Sequence, residues 1–376
     1  MYTLVYLTAQ TNNRETEPQG LGWELFKNYV IALEKYKPDY FLYENNKSMS
    51  PAIKAQITRE LGIEPIMINS ALVSAQNRQR YYWTNIPGVE QPQDLGILLR
   101  DVLETGEAWR EKAYCLDANY WKTAGIGMGT QAGLRKMAAE SVPAEVLNIN
   151  PSGKGMNGVV MRVDSKSRHL TTNKGEGAKI IEPVIFQRPH GYNEGGIKYD
   201  KSPTLTANGS WENNNHIVEW WDGKTYPVYE VHNGLITIKD KTYPIKLADG
   251  YYIIRKLTVT ECKRLQTVPD DYIMPCSATQ NYKMLGNGWT VDVIAHILSY
   301  TPDIKTSPVE VLSMYDGMSC GHIALDKLGA NVTGYYATEI DDYAIKTTQA
   351  NYPDTVQLGD AFRVREDGWS LKEREN

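Results

Sequence analysis

Small and acidic residues follow apolar runs near the end of the chain, at a spacing that could hold a nucleotide-like ligand. YDGMSCG (Tyr315–Gly321) places two glycines at a strand-to-helix turn, where the backbone can approach a ligand beside an electropositive helix N-terminus. Glu339 follows about twenty residues later, at the tip of the next apolar run, where a carboxylate can accept both hydroxyls of a ribose. Asp360 follows the third run. Together these residues suit an adenosine-type cofactor, although each carboxylate alone is more often a solvated strand end.

A second polar group lies in the first part of the chain. Glu44 directly follows the compact apolar run Phe41–Tyr43, which predicts a buried strand. QNRQR (Gln76–Arg80) alternates two arginines, and on a strand Arg78 and Arg80 would point the same way. Two arginines on a strand are usually a solvated face. Their spacing after Glu44 favours a shared site instead.

Apolar periodicity predicts the elements that must position these residues. The first part of the chain alternates helices and strands, as a mostly parallel sheet with helices on its faces requires: helices Trp23–Lys37 and Pro51–Leu61, and strands Phe41–Tyr43, Pro65–Asn69 and Tyr81–Thr84. After Arg255 the pattern returns and predicts a Rossmann-like half-sheet: helices Thr258–Gln266, Thr290–Ser299, His322–Leu328 and Asp342–Asn351, a linker Tyr300–Ser307, and strands Glu310–Met314, Gly334–Ala337 and Thr355–Leu358.

The middle of the chain has a different texture. From Leu99 to Gly250, short apolar runs are broken by Gly, Asn, Lys and Pro, with a helical period only over Gln131–Ala139. SRHLTTNKGEGAKIIEP resembles SPTLTANGSWENNNHIVE, and AYCLDANYWKTAG resembles both more weakly, so a duplicated β unit and a chance match in polar sequence are both open. This stretch predicts a separate, loop-rich β domain.

Composition narrows the class of protein. The 376 residues are enough for two cores, and no apolar run reaches the roughly 18 residues that span a bilayer. The four cysteines lack metal-ligand spacing, so we expect reduced thiols in a cytoplasmic protein without metal or membrane. The net charge of -5 does not indicate a nucleic-acid binder, but a basic cleft can sit on an acidic body.

Four segments resemble blocks of the DNA cytosine carbon-5 methyltransferase family. VLSMYDGMSCGHIALDKLG resembles its S-adenosylmethionine loop, ATEID its ribose-binding block, LGD its adenine-contacting block, and YKMLGNGWTVDVIAHIL the block that closes the methionine end of the site. The resemblance implies S-adenosyl-L-methionine as cofactor. The implied contacts are Tyr315, Asp316, Gly317, Ser319, Cys320, Gly321, Glu339, Ile340, Asp360, Asn287, Thr290 and Val291.

The same resemblance gives the first polar group a role. FLYENN resembles the family's Glu-Asn block, with Asn46 where the family usually has Val. A protonated Glu44 could donate to ring nitrogen 3 of a flipped cytosine and make carbon 6 electrophilic. QNRQR resembles the family's Gln-x-Arg-x-Arg pattern, which implies Arg80 at the base carbonyl or its phosphate and Arg78 holding the loop. RKLTVTECKRLQTVPDDY resembles a block that mostly organises the recognition domain, so Arg255, Glu261 and Arg264 are expected to be structural.

The blocks are circularly permuted relative to most of the family, because YKMLGNGWTVDVIAHIL, called here the Asn-Gly block or segment after Asn287-Gly288, precedes the cofactor loop. This order is expected to put both termini beside the catalytic loop. The family's nucleophile, a Pro-Cys cysteine, has no counterpart; its position falls near Thr3 or Ala9 depending on alignment. Pro275-Cys276 is a literal Pro-Cys pair but follows no matching strand. Cys320 would face the methyl donor, and Cys115 and Cys262 are most simply buried or structural thiols.

The sequence thus predicts a class I S-adenosylmethionine-dependent methyltransferase fold: an α/β, Rossmann-like sheet, permuted, with an inserted β-rich recognition domain. The expected divisions are residues 1–98 for the base pocket, 99–252 for target recognition and 253–376 for the cofactor. The implied function is methylation of carbon 5 of cytosine in double-stranded DNA, in a restriction-modification or phage self-protection setting. The alternatives are a catalytically silent cofactor- and DNA-binding protein, a split enzyme completed by another chain rather than a monomer, and, less favoured, an RNA methyltransferase.

Overall fold

A computed structural model of the chain describes the following residues: 2–5, 15–108, 111–116, 118, 137–141, 145–148, 159–162, 179–181, 184–187, 196–198, 215–221, 224–238 and 241–371. The chain divides into two compact units. The first comprises residues 1–104, 111–123 and 257–376, and the second comprises residues 105–110 and 124–256.

The first unit alternates strands with helices along most of its length. Its labelled elements are β1 (Tyr2–Val5), α1 (Leu21–Tyr36), β2 (Phe41–Asn46), α2 (Pro51–Leu61), β3 (Ile66–Asn69), β4 (Gln76–Asn77), β5 (Gln79–Thr84), β6 (Ala113–Tyr114), α3 (Val259–Leu265), α4 (Ala278–Asn287), α5 (Val291–Leu298), β7 (Val309–Met314), α6 (Cys320–Leu328), β8 (Val332–Thr338), α7 (Asp342–Asn351), β9 (Val356–Gly359) and α8 (Ala361–Glu366).

Seven of these strands form one sheet in the order β9-β8-β7-β1-β2-β5-β3. From β9 to β2 every neighbouring pair is parallel, whereas β5 is antiparallel to both β2 and β3. The carboxyl ends of β9, β8, β7 and β2 therefore lie along one edge of the sheet, the edge at which open α/β sheets bind ligands. The predicted α/β sheet is confirmed.

Local sequence explains where the helices begin and end. In α2, Ser50 Oγ accepts a hydrogen bond from Ile53 N (3.2 Å), Pro51 occupies the first turn, and Gly62 follows in the left-handed conformation at φ 67°. These are the residues that favour a helix start and a helix end. In α3, Thr258 and Glu261 form a reciprocal capping box, which fits the structural role expected of Glu261.

Aromatic residues of α1 pack on the sheet. Trp23, Phe26 and Tyr29 recur every third residue and are buried, so one face of the helix enters the core. The ring of Tyr29 stacks on Tyr43 of β2 with centroids 5.3 Å apart. Tyr43 in turn packs against Trp83 of β5 at 5.6 Å. This packing holds β2, the strand that carries Glu44, against its antiparallel neighbour.

Every labelled element of the second unit is a strand. They are β10 (Met137–Ser141), β11 (Glu145–Asn148), β12 (Val159–Arg162), β13 (Lys179–Ile181), β14 (Val184–Gln187), β15 (Gly196–Lys198), β16 (Asn215–Trp221), β17 (Lys224–His232), β18 (Leu235–Ile238), β19 (Lys241–Pro244) and β20 (Gly250–Lys256). The predicted helical stretch Gln131–Ala139 is wrong at its end, because residues 137–139 pair with β20 in an antiparallel ladder that buries Ala138 and Ala139. The predicted duplication lies largely outside the described residues.

The second unit has its own small core. Val231, Ile236, Ile245 and Tyr252 are buried together with Ala139. The hairpin between β17 and β18 turns at Asn233 and Gly234, both at positive φ, as a two-residue Asn-Gly turn requires. Arg255, expected to be structural, is buried and donates to Thr105 O at 2.7 Å within this unit.

Candidate active site

The loop after β7 holds an unusual backbone conformation. Tyr315, Gly317 and Ser319 all have φ near 60°, a region that residues with a side chain rarely adopt. Tyr315 N donates to Thr338 Oγ1 (3.0 Å), and Gly317 N donates to Glu339 Oε2 (2.8 Å). The end of β8 therefore fixes the loop, and the strain is concentrated where the sequence predicted close approach to a ligand.

Asp316 anchors this loop from inside. Its carboxyl group is buried and accepts hydrogen bonds from Ser313 Oγ (2.5 Å), Tyr335 OH (2.8 Å) and the hydroxyl of Ser319. Burial raises the pKa of Asp316 to about 6, and the three hydroxyl groups oppose that rise. The carboxyl oxygens thus organise the loop as well as bordering the space beside it.

A cavity of about 360 Å³ opens at the carboxyl edge of the sheet, within the size range of small-molecule sites. Of the residues predicted to bind cofactor, eight line it: Tyr315, Asp316, Gly317, Cys320, Glu339, Ile340, Asp360 and Asn287. Sequence reasoning missed further lining residues on α1, α4 and α8, among them Leu21, Leu25, Lys283, Met284 and Phe362. The Asn-Gly block pointed to α4, but α1 and α8 carried no motif that signalled a ligand.

Four predicted contacts support the cavity without being among the described residues that line it. Ser319 is buried and bound to Asp316, and Gly321 is buried in the first turn of α6. Thr290 Oγ1 donates to Gln266 Oε1 (3.0 Å), and Val291 N donates to Gln266 O (2.9 Å). These hydrogen bonds of Thr290 and Val291 hold the Asn-Gly segment in place, and their contact with the cofactor stays a prediction.

The lining fits a cationic, adenosine-bearing molecule. Four carboxyl groups, those of Asp316, Glu339, Asp341 and Asp360, border the cavity with one described basic group, Lys283, which is paired to Asp341 at 2.9 Å. Leu21, Leu25, Met284, Ile340 and Phe362 supply an apolar wall. An excess of carboxyl groups favours a positive charge, and the apolar wall suits an aromatic ring. S-adenosylmethionine combines a sulfonium, an ammonium and an adenine.

Glu44 lies at the same edge of the sheet, on β2. Its side chain is 3% exposed, and Arg80 Nε on β5 lies 2.7 Å from its Oε1. The other oxygen, Oε2, accepts a hydrogen bond from Trp289 Nε1 at 3.3 Å. The β2–β5 register pairs Asn46 with Arg80, so Glu44 and Arg80 are diagonal neighbours on one face. Sequence reasoning brought together Glu44 and Arg80 but missed Trp289.

Arg78 has a different environment from Arg80 despite its sequence spacing. Its guanidinium is buried and donates to Gly288 O (2.8 Å), Leu116 O (3.0 Å) and Gly286 O (3.3 Å). The prediction that Arg78 holds the loop agrees with these contacts, whereas its grouping with the catalytic residues does not. A guanidinium whose donors are engaged by buried carbonyls stabilises the Asn-Gly segment.

The cysteines occupy four separate environments. Cys320 is buried in the cavity wall, and burial raises the pKa of its thiol to about 12. Cys262 is buried in α3. Cys276 lies against α7, 3.6 Å from Tyr343 O. Cys115, expected to be structural, is half-buried with Sγ 3.2 Å from Arg78 Nη1 and 3.8 Å from Arg80 Nη2, so it lies nearest to the Glu44 group.

The described residues were also compared with the requirements of a metal site and of a membrane-spanning helix. None of them form a group of three or more that could hold a metal ion. No helix in the described part of the chain has the length and apolar character needed to cross a bilayer.

The sheet order and the cavity at its carboxyl edge define a class I, S-adenosylmethionine-dependent methyltransferase fold. Residues 8–301 match the family described as C-5 cytosine-specific DNA methylase. The match covers more than half of the chain, and the protein belongs to that family. Its class of activity is therefore that of a DNA cytosine-5 methyltransferase, for which S-adenosylmethionine is the methyl donor.

Individual relatives agree with this assignment. The orphan methyltransferase M.SPRI of Bacillus phage SPR is 27% identical over 339 residues, which span 73% of this chain and 75% of the phage protein. DNA (cytosine-5)-methyltransferase DRM1 of Arabidopsis thaliana is 30% identical over 105 residues, or 27% of this chain and 17% of the plant protein. Among solved structures, S. pombe Dnmt2 methyltransferase is 16% identical over 79% of this chain and 77% of its own, with a TM-score of 0.33. At that score the fold rests on the sheet order and not on the superposition.

Proposed function

We propose that this chain transfers a methyl group from S-adenosylmethionine to carbon 5 of a cytosine that has left the stack of duplex DNA. One observation carries the proposal: the Glu44–Arg80 pair lies at the same sheet edge as the cavity. Consecutive residues link the two places, since Gly288 lines the cavity and Trp289 donates to Glu44. A base must leave the helix to reach such a pocket, because its reacting carbon is inaccessible in the stack.

The cavity residues would bind and orient the cofactor, which supplies a methyl group on a positively charged sulfur. Glu339 is placed for the ribose hydroxyls, although both its oxygens already accept backbone N–H groups of Gly317, Ile340 and Asp341. Oε1 already accepts two of these N–H groups, whereas Oε2 accepts one and keeps a second lone pair, so the remaining acceptor capacity lies on Oε2. Asp360 caps α8 and would accept from the adenine amino group, and Asn287 would border the methionine end.

The base pocket would contact ring nitrogen 3 of cytosine, on the side of the ring away from carbons 5 and 6. Once Arg80 has moved away, Glu44 would take up a proton from solvent and donate it to ring nitrogen 3, which draws electrons from carbon 6 and opens it to a nucleophile. Arg80 would leave Glu44 for the base carbonyl or its phosphate. The pair seen in the structure is then the form of the pocket that precedes base entry, with the charge of each side chain compensated by the other.

We also propose that the family's blocks are circularly permuted in this chain. The cofactor strand β7, near the end of the sequence, lies next to β1 from its start, and β2 follows in the sheet. The segment from Ser299 to Pro308 joins α5 to β7 directly. This arrangement supports the permutation, because joining two blocks that border one cofactor needs only a short connection.

The mechanism also needs a nucleophile that adds to carbon 6, and the family's Pro-Cys cysteine has no counterpart in this sequence. A silent protein that binds cofactor and DNA, or an enzyme completed by another chain, is favoured by the environments of three of the four cysteines. Cys320 and Cys262 are buried, and Cys276 contacts α7. Cys115 is the exception, since its Sγ lies 3.8 Å from Arg80 Nη2.

The test measures transfer of a labelled methyl group from S-adenosylmethionine to duplex DNA of mixed sequence, with double-stranded RNA in parallel. We expect transfer to DNA, and a rate in Glu44→Gln that is lower by about 100-fold or more but still measurable, because a general acid contributes roughly 10²–10⁴ in rate. Cys115→Ser and Cys276→Ser then identify the thiol that the reaction needs. Calorimetric binding of S-adenosylhomocysteine without transfer would favour the silent protein or the split enzyme. No binding of cofactor product would contradict the proposal.

A further inference from the structure

Trp289 connects the two halves of the proposed site. Its side chain is buried at 3% exposure, and its indole Nε1 donates to Glu44 Oε2 across 3.3 Å. Its backbone N–H donates a hydrogen bond to the thiol of Cys320. This bond lowers the pKa of the thiol and so opposes the rise that burial causes. The preceding residue, Gly288, lines the cavity together with Cys320. One residue therefore touches the carboxyl group of the base pocket and a wall residue of the cofactor cavity.

We propose that Trp289 is a positioning residue that decides which oxygen of Glu44 can carry a proton. The indole N–H is a donor only, so Oε2 is held as the acceptor. A proton on Glu44 is then favoured on Oε1, the oxygen that faces Arg80 Nε at 2.7 Å, because protonating Oε2 would make it a weaker acceptor for the indole N–H. When Arg80 moves to the base, Oε1 is left as the donor to ring nitrogen 3. This inference rests on the proposed function and specifies the geometry of its acid.

The same contact couples the acid to the cofactor cavity. Arg78 Nη2 donates to Gly288 O at 2.8 Å and fixes the peptide between Gly288 and Trp289. A Cβ on Gly288 would lie 3.1 Å from Cys320 Sγ and 3.2 Å from Met284 O, so this segment has little room to move without its neighbours. A ligand that presses on the cavity wall at Gly288 therefore changes the angle at which the indole meets Glu44.

The simpler alternative is that Trp289 only packs in the core, and that its N–H donates to Glu44 without affecting the proton on that carboxyl group. Trp83 is the matched control for that case, because it is fully buried on β5 and its Nε1 donates to Thr58 Oγ1 at 3.0 Å. Trp83 is not among the described residues that line the cavity. Both tryptophans bury an aromatic ring and satisfy one N–H, but the N–H of Trp289 donates to a carboxyl group and that of Trp83 to a hydroxyl group.

The first experiment does not depend on activity. The chain has nine tryptophans, and the nitrogen-15 indole spectrum of the full chain gives one resonance for each. Trp289→Phe and Trp83→Phe assign two of them, with Trp289→Tyr in reserve should the first variant not fold. In Glu44→Gln we expect the Trp289 indole proton to shift upfield, because a neutral amide is a weaker acceptor than a carboxylate. The Trp83 resonance stays in place.

Adding S-adenosylhomocysteine tests the coupling. We expect the Trp289 resonance to move and the Trp83 resonance to remain. An unmoved Trp289 resonance in Glu44→Gln overturns the positioning role, and an unmoved resonance at calorimetric saturation overturns the coupling. If the compound does not bind at all, the proposed function fails, while the Glu44→Gln comparison still decides the role of Trp289.

The second experiment separates positioning from packing by kinetics. Where the chain transfers methyl groups, Trp289→Phe should lower kcat about tenfold or more, as expected when a general acid is misoriented, with KM for the cofactor within about twofold. In the Glu44→Gln background the same change should have no further effect, because both act through one proton. Losses that simply multiply would contradict the proposal, as would an equal effect of Trp83→Phe.

Discussion

Arg80 Nε lies 2.7 Å from Glu44 Oε1 across the β2–β5 ladder, in a pair of which the carboxyl side chain is 3% exposed. The charge of each residue is balanced by the other, and removing one partner leaves the other buried and unpaired. The pocket therefore holds no unpaired charge from Glu44 or Arg80 before a base enters. The effects of substituting the two residues on the free energy of unfolding should therefore not be additive.

Arg80→Gln should therefore destabilise the protein by about 1–3 kcal/mol, because Glu44 would remain buried without its partner. Adding Glu44→Gln to that variant should recover part of the loss, since both charges are then gone. Denaturant unfolding of the two single variants and the double variant measures the coupling. Additive losses would show that the pair contributes nothing beyond its separate side chains.

Arg78→Lys tests the structural role of the other arginine. A lysine has three donors on one atom and cannot reach Leu116 O, Gly286 O and Gly288 O together as the planar guanidinium does. We expect a loss of stability of about 2 kcal/mol or more and weaker binding of S-adenosylhomocysteine. Arg59→Lys on the exposed face of α2 is the control and should change neither. An unaltered Arg78→Lys protein would contradict the anchoring role.

Gly288→Ala should weaken cofactor binding more than it weakens the fold. The added methyl group would meet Cys320 Sγ at 3.1 Å and the backbone oxygen of Met284 at 3.2 Å, in the wall of the cavity. Gly62→Ala is the counterpart: φ 67° makes it costly for stability, a Cβ there would meet nothing within 4 Å, and Gly62 is not among the described residues that line the cofactor cavity. Calorimetry with S-adenosylhomocysteine and thermal unfolding distinguish the two. Equal affinities in both variants would remove Gly288 from the binding wall.

Two buried groups should give opposing pH dependences of stability. Burial raises the pKa of Asp316 from 3.8 to about 6, so its stabilising contribution is present below pH 3.8 and is lost as pH rises through 6. Burial lowers the pKa of His322, which is stacked between Tyr335 and Tyr352, from 6.5 to about 4. That contribution is present above pH 6.5 and is lost as pH falls through 4.

Between about pH 4 and 6 the two effects partly cancel in the native protein. Asp316→Asn should therefore lose stability more steeply on acidification than the native protein, and His322→Asn less steeply. Urea unfolding at several pH values across this window measures both slopes. The same slope in both variants would show that neither group titrates as its surroundings indicate.

Thiol accessibility should divide the cysteines into two pairs. Cys115 and Cys276 are half-buried, whereas Cys262 and Cys320 are buried, and burial keeps Cys320 in its unreactive thiol form. Brief alkylation of the native protein followed by mass spectrometry should label the first pair and spare the second. Full labelling after unfolding is the control. Early modification of Cys320 would contradict its place in the cavity wall.

Local sequence determined most of the elements of the first unit. Ser50, Pro51 and Gly62 mark the two ends of α2, and the predicted Pro51–Leu61 agrees with the structure. The predicted helix Asp342–Asn351 also agrees, while neighbouring strands differ by a few residues at their ends. Caps and apolar periods act over a few residues, which is why they can be read along the chain. Helices α4 and α8 were not predicted, because α4 carries an Asn-Gly block and α8 is short.

Only the tertiary structure decided what each polar side chain does. Arg78 and Arg80 are two residues apart, yet one is enclosed by carbonyls of the Asn-Gly segment and the other faces Glu44. Trp289 meets Glu44 across 245 positions of sequence, because the connection between α4 and α5 comes against β2 in the folded chain. Whether a hydrogen bond forms depends on differences of a few tenths of an ångström in the distance between two groups that packing brings together. No local sequence pattern encodes that distance.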